Sequence, residues 1–151
     1  MNAGAVIAAG GTGTRMGKSI PKQLLKLGCK TIIERTVAPF ITCSIISQIV
    51  IVAAEAIIDD IKNTMQSNVV CDKPVIVVKG GSLRQESVYN GIMALDDSIE
   101  MVVIHDSVRP FITGKNITEC IHSAETYGSA SVMRPITETV KVVNDGIVVN
   151  T

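Results

Sequence analysis

Ala5-Val6-Ile7-Ala8-Ala9 runs directly into Gly10-Gly11-Thr12-Gly13-Thr14-Arg15-Met16-Gly17-Lys18, with Pro21-Lys22-Gln23 close behind. The apolar run reads as a buried strand. The glycines after it let the backbone approach an anion closely and turn its N–H groups toward it, while Arg15 and Lys22 add the full charge that amide dipoles lack. The stretch therefore predicts a strand delivering a triphosphate-holding loop. Two commoner phosphate loops fail residue by residue. Gly17-Lys18-Ser19 resembles the end of a P-loop, but the glycine required five positions earlier falls on Thr12. In the dinucleotide fingerprint Gly11 and Gly13 fit, but the third glycine falls on Met16, which leaves hydride chemistry without support.

Outward from this stretch, the chain has 151 residues, enough for one domain with a full core and no need of disulfide or metal staples. Lys plus Arg and Asp plus Glu stand at 14 each, and there is no basic stretch to track a nucleic-acid backbone. With no Trp, two Tyr and two Phe, stacking platforms are scarce. A small charged ligand fits better than a polynucleotide. Cys29, Cys43, Cys71 and Cys120 form no C-x-x-C pair and share no metal-ligand spacing with His105 and His122. They are expected to be reduced, largely buried thiols. No leader pattern and no apolar run near ~18 residues is present, so the expectation is a soluble, cytoplasmic protein without membrane contact.

Ala5–Ala9, Gln48–Ala53, Val75–Val78, Met101–His105 and Ser129–Met133 read as strands. Between them, Ile33, Val37, Phe40 and Ile41 follow one helical face, and Ile117, Cys120, Ile121 and Ala124 another, ending at a candidate C-cap, Gly128. Further helices are expected from Glu55 to Gln66 and from about Ser82 to Leu95, with Ser82 and Gln85 as a capping box. Strands apolar on both faces and separated by helices imply a mostly parallel sheet: an α/β, Rossmann-like three-layer α/β/α sandwich. Thr139–Val143 and Ile147–Val149 around Asn144-Asp145-Gly146 read as a β-hairpin.

Ligands of such sheets sit beyond the carboxyl ends of the strands. After the third strand, Gly80-Gly81-Ser82 leads into a helix whose free N–H groups would favour anionic ligand atoms, with Arg84 and Ser87 on one face. An ordinary capped connection with a solvated arginine fits the same residues. After the fourth strand, His105-Asp106-Ser107-Val108-Arg109-Pro110 brings a carboxylate suited to Mg²⁺ and a guanidinium suited to phosphate. The plainer alternative is a local Asp106–Arg109 ion pair closing the turn. His105 reads as a packed strand-end residue and His122 as surface. Thr139 could donate to a phosphate, though threonine type alone says little.

Taken in order, Ala8-Ala9-Gly10-Gly11-x-Gly13-x-Arg15-Met16 with Pro21-Lys22-Gln23, then Gly80-Gly81 with Arg84 and Ser87, then His105-Asp106-x-x-Arg109-Pro110, closely resemble the methylerythritol phosphate cytidylyltransferases. The resemblance spans the chain. It implies a nucleotidyltransferase domain, of the glycosyltransferase-A-like kind, that moves CMP from CTP to 2-C-methyl-D-erythritol 4-phosphate and releases pyrophosphate with Mg²⁺ present, in non-mevalonate isoprenoid synthesis. It further implies that Arg15 and Lys22 are catalytic, holding the triphosphate. Ala8, Ala9, Gly10, Gly11, Gly13, Gly81, Ser82, Arg84 and Ser87 would bind CTP. Asp106, Arg109 and Thr139 would bind the polyol phosphate, and Asp106 the metal.

Two positions depart from the family pattern: Ser82, where an acidic residue is common, and Glu138, where Asp is usual. The resemblance also implies a homodimer whose subunit-crossing arm begins at residues 139–151, with further contacts beyond Thr151 that this chain lacks. Ribitol phosphate cytidylyltransferase, a teichoic acid enzyme with the same loop and Asp-x-x-Arg-Pro turn, is the nearest rival; Pro135 and Lys141 around Thr139 favour the methylerythritol enzyme. A catalytically silent nucleotide-binding domain is the alternative of another class.

Overall fold

The computed structural model describes residues 1–11 and 20–150. β1 (Ala3–Ala9) is followed by a 3₁₀ turn at Lys22–Leu24 and a small hairpin of β2 (Lys26–Leu27) and β3 (Lys30–Thr31). Then come α1 (Ile32–Thr42), β4 (Ile46–Ala53), a 3₁₀ turn at Glu55–Ile57, α2 (Ile58–Asn68), β5 (Val75–Lys79), α3 (Arg84–Met93), β6 (Met101–Asp106) and α4 (Gly114–Tyr127). A second hairpin, β7 (Val142–Asn144) and β8 (Ile147–Asn150), closes the described chain.

The main sheet has the order β5-β4-β1-β6, and every pairing in it is parallel. β1 shows why the strands look apolar throughout. Its odd positions, Ala3, Ala5, Ile7 and Ala9, enter one core with Ile33, Val37 and Phe40 of α1, Ile61 and Met65 of α2, and Ile117 and Ile121 of α4. On the other face Val6, Val50 and Val52 form a second cluster with Ala94 and Leu95, just past α3. Helices thus cover both faces. Each fully buried Ile, Val or Phe contributes about 1.5–3 kcal/mol, so these stripes, rather than helix propensity, fix the layers. Gly91 lets α3 lie close: a Cβ there would stand 2.5 Å from Val6 Cγ1 and 2.7 Å from Val52 Cγ2.

Local signals set the helix ends. Thr31 Oγ1 accepts from Glu34 N at 3.3 Å while the Glu34 carboxylate accepts from Thr31 N at 2.7 Å, a reciprocal cap that starts α1. Gly128, at φ 84°, ends α4 as expected of a left-handed cap. The β7–β8 turn has φ 48° at Asp145 and 79° at Gly146, as a two-residue type I′ turn requires.

Three expectations need correction. Ser129–Met133 is not a strand: it is exposed and irregular, and among the described residues no neighbouring strand offers its backbone a ladder. The cap of α3 is built on Glu86, one residue beyond Gln85, with Glu86 Oε2 accepting from Ser82 N at 2.8 Å and Leu83 N at 3.3 Å. Of the cysteines only Cys43 is buried; Cys71 and Cys120 are half-buried, and Cys29 is exposed because it sits in the tight β2–β3 turn. Among the described residues no helix is long and apolar enough to cross a membrane.

Candidate active site

The register aligns the carboxyl ends of the strands. Ala8 stands beside Val52 on β4 and Asp106 on β6, and Ala53 stands beside Lys79 on β5. Strands leave β1 in opposite directions, toward β4 and toward β6, so the edge between β1 and β6 is a topological switch point, where sheets of this kind open a crevice. A cleft of about 500 Å³ lies there, walled by Ala8, Gly10 and Gly11, by Lys22 and Gln23, by Gly81 to Arg84 with Ser87, and by Asp106 to Val108. A larger hollow of about 1030 Å³ runs along β6 and α4 and shares Arg84, Asp106 and Val108 with it. The smaller cleft is where the glycine run and Lys22 face each other. Gly13 and Arg15 lie outside the described residues.

The acidic turn after β6 is held from several sides. Ser107 N donates to Ala8 O at 3.0 Å, Thr36 Oγ1 donates to Ser107 O at 2.8 Å, and Arg109 N donates to Asp106 O at 3.1 Å. Asp106 then bridges two guanidiniums: Oδ1 accepts from Arg84 at 3.1 Å and Oδ2 from Arg109 Nε at 2.9 Å. Both arginines are largely exposed, so these pairs fix direction more than they stabilise, at about 1 kcal/mol or less each. The local ion pair considered from sequence is therefore present, and Arg84 joins it. His105 packs on Phe40 with ring centroids 5.3 Å apart, and its Nε2 lies 3.1 Å from Arg109 O, an acceptor, so Nε2 carries the proton. His122 lies on the surface, its Nδ1 3.5 Å from Glu125.

Just before α3, Gly81 N donates to Ser87 Oγ at 3.1 Å, and the Glu86 carboxylate takes the N–H groups of Ser82 and Leu83 and the Ser82 hydroxyl. These bonds, led by the one from the Ser82 hydroxyl, hold the Glu86 carboxyl below the usual carboxylate range. That carboxylate lies in the first turn of α3, where the positive end of the helix stabilises it. Ser87 is buried, and its hydroxyl also donates to Leu83 O at 3.1 Å. Ala9 is buried in the core and does not line the cleft. Thr139 is exposed ahead of β7 and lines neither the cleft nor the larger hollow.

The sequence pattern of the 2-C-methyl-D-erythritol 4-phosphate cytidylyltransferases matches residues 3–151. The chain belongs to this family. The 2-C-methyl-D-erythritol 4-phosphate cytidylyltransferase of Caldanaerobacter subterraneus subsp. tengcongensis is 37% identical over 145 residues, which cover 96% of this chain and 64% of that protein. The same-named protein of Clostridioides difficile strain 630 is 36% identical, over 97% of this chain and 61% of its own length. Among solved structures, the 4-diphosphocytidyl-2C-methyl-D-erythritol synthase of Anaerococcus prevotii superposes with a TM-score of 0.76 at 25% identity, covering 99% of this chain and 63% of that one. The 2-C-methyl-D-erythritol 4-phosphate cytidylyltransferase of Francisella tularensis gives 0.70 at 28% identity, covering 99% and 65%. The chain thus spans less than two thirds of the length of these relatives.

For a member of this cytidylyltransferase family, Mg²⁺ is implied and Asp106 is its candidate ligand. Yet both Asp106 oxygens face guanidiniums, and among the described residues no group of three or more His, Cys, Asp and Glu side chains stands together. The described residues therefore do not fit a protein-built Mg²⁺ site, because Asp106 as placed is an arginine acceptor. Two features of the site have no strong sequence signal. The Arg84–Asp106 pair spans 22 positions, and Gln23, quoted with Lys22 but given no task, is buried under the cleft.

Proposed function

We propose that this chain carries the cytidylyl-transfer site of a 2-C-methyl-D-erythritol 4-phosphate cytidylyltransferase. CTP would lie along Gly10 and Gly11 with its triphosphate toward Lys22 and Arg15, and the polyol phosphate would lie toward Arg109 and Asp106. An oxygen of the acceptor phosphate attacks the α-phosphorus of CTP, the bond from that phosphorus to the β-phosphate oxygen breaks, and pyrophosphate leaves as 4-diphosphocytidyl-2-C-methyl-D-erythritol forms. The attacking oxygen is already anionic, so no base need deprotonate it. The work of the site is alignment and neutralisation of charge. Mg²⁺ belongs to the proposal as a companion of the nucleotide's phosphates, which such ions use as ligands.

The observation that carries this reading is the cleft at the switch point, where the glycine run, Lys22 and the Asp106 turn share one mouth. We also propose a homodimer through the β7–β8 hairpin. All seven of its strand residues are exposed, and a lone two-stranded hairpin is marginal in water, which favours a partner for it. A cytoplasmic setting goes with the proposal. The test is pyrophosphate release from CTP with 2-C-methyl-D-erythritol 4-phosphate or ribitol 5-phosphate as acceptor. Release with the first alone supports the reading, release with the second alone moves it to the teichoic acid enzyme, and CTP binding without release identifies a silent nucleotide-binding domain.

A further inference from the structure

Gln23 is a polar side chain in an unusual position: 2% exposed, beneath the cleft, on the 3₁₀ turn that also bears Lys22. Its amide nitrogen donates to Ala9 O at 3.1 Å and to Gly11 O at 2.9 Å. Two carbonyl acceptors on one side identify that atom as nitrogen, since an oxygen there would meet two like dipoles. The other end, Oε1, is buried with no hydrogen-bond partner among the described residues. A buried amide usually satisfies all its polar atoms. Here the donor end is committed to two particular carbonyls.

Those carbonyls flank Gly10 at the point where β1 stops and the glycine run begins. Each peptide whose C=O is fixed also has its N–H direction fixed, because the unit is planar. The peptide joining Ala9 to Gly10 is therefore oriented by Gln23, which also holds Gly11 O, and the turn carrying Lys22 is tied to the same point. Leu24 N and Leu25 N close that turn on Pro21 O and Lys22 O at 3.0 and 3.2 Å, so it moves as one piece.

We infer that Gln23 is the positioning residue that locks the Lys22 turn onto the end of β1, setting where the ammonium stands over the nucleotide's phosphates. The inference rests on the proposed CTP reading of the cleft. Its signature is a graded one: displacement of Lys22 weakens recognition of the outer phosphates more than that of the cytidine end. Misplacement of such a group by about 1 Å is enough to reduce its effect severalfold to a hundredfold.

The experiment is calorimetric titration of the unmodified chain, Gln23→Met and Gln23→Glu with CTP and with CMP. Both variants keep the length of the side chain and remove the donor. The expected result is a loss of CTP affinity of about tenfold or more with CMP affinity changed by less than about threefold, so that the preference for triphosphate collapses. Equal losses for both ligands, or an unchanged preference, overturn the inference and leave Gln23 a structural residue. Failure of the unmodified chain to bind CTP at all instead removes the reading beneath it, and the inference with it. If neither variant folds, NMR of the unmodified chain decides: the Gln23 side-chain amide is expected to exchange slowly and to shift on adding CTP more than on adding CMP, and an amide that exchanges freely or ignores the triphosphate overturns the inference.

Discussion

Lys22 and Asp106 face the same cleft with opposite consequences for the protein. Lys22 is a half-buried lysine whose proposed role is charge, and Lys22→Ala is expected to lower turnover by about 100-fold, the usual effect of removing one group that stabilises developing charge. The unfolding temperature should hardly move, and a rate assay beside a melting curve checks both. Asp106→Asn releases two exposed guanidiniums from their shared carboxylate, so the stability change is expected to stay within about 1 kcal/mol. The affinity for the polyol phosphate should change far more, and denaturant unfolding beside acceptor titration separates the two effects. The place of Lys22 beside the cleft was legible because it closely follows an evident strand end, and the Asp106–Arg109 pair because its members lie three residues apart. Arg84 was named from the sequence, but its contact with Asp106 was not legible, since it exists only once the start of α3 is brought to the end of β6 in the folded sheet. Gln23 was equally silent: a glutamine reads the same whether buried or solvated.

The turn into α3 shows how one acidic side chain can close a helix end. Because its folded-state pKa is depressed, Glu86 contributes stability above the ordinary carboxylate range, and that contribution is lost as pH falls through the lowered folded value. Unfolding temperatures of the unmodified chain and Glu86→Gln are therefore expected to differ at neutral pH and to converge as the pH drops below about 4. A gap that persisted in acid would point to packing rather than charge. At Gly91 two effects oppose each other. Alanine gains about 1 kcal/mol of helix propensity, but its Cβ would overlap two valines of the sheet, and overpacking of that kind costs about 1–3 kcal/mol. Gly91→Ala is expected to lower the denaturant midpoint. β1, β4, β5 and β6 were legible as continuous apolar runs, and α1 and α4 because their apolar stripes follow the helical period. β2 and β3 span two residues each, too few for any period, and Ser129–Met133 has strand-like composition but no ladder to join.

That the sheet is parallel follows from alternation of strands and helices, which the sequence carries openly, whereas its order β5-β4-β1-β6 appears only in the fold. Which helices share a face does not follow from alternation either, since that depends on crossover geometry: α1, α2 and α4 meet one side of β1, and the end of α3 meets the other. The exposed β7–β8 hairpin carries its own prediction. Sedimentation equilibrium should reveal concentration-dependent dimers that Ile147→Lys shifts toward monomer, because a charge at a 69% exposed apolar position opposes burial against a second copy while leaving the monomer's core intact. The central claim is that CTP occupies the cleft between β1 and β6 rather than the larger hollow along α4. Amide NMR of the chain during CTP titration tests this most directly. Shifts concentrated at Gly10, Gly11, Gln23, Gly81 and Ser107 are predicted; shifts confined to Cys120, Ala124 and Ser131, or none at all, would contradict it.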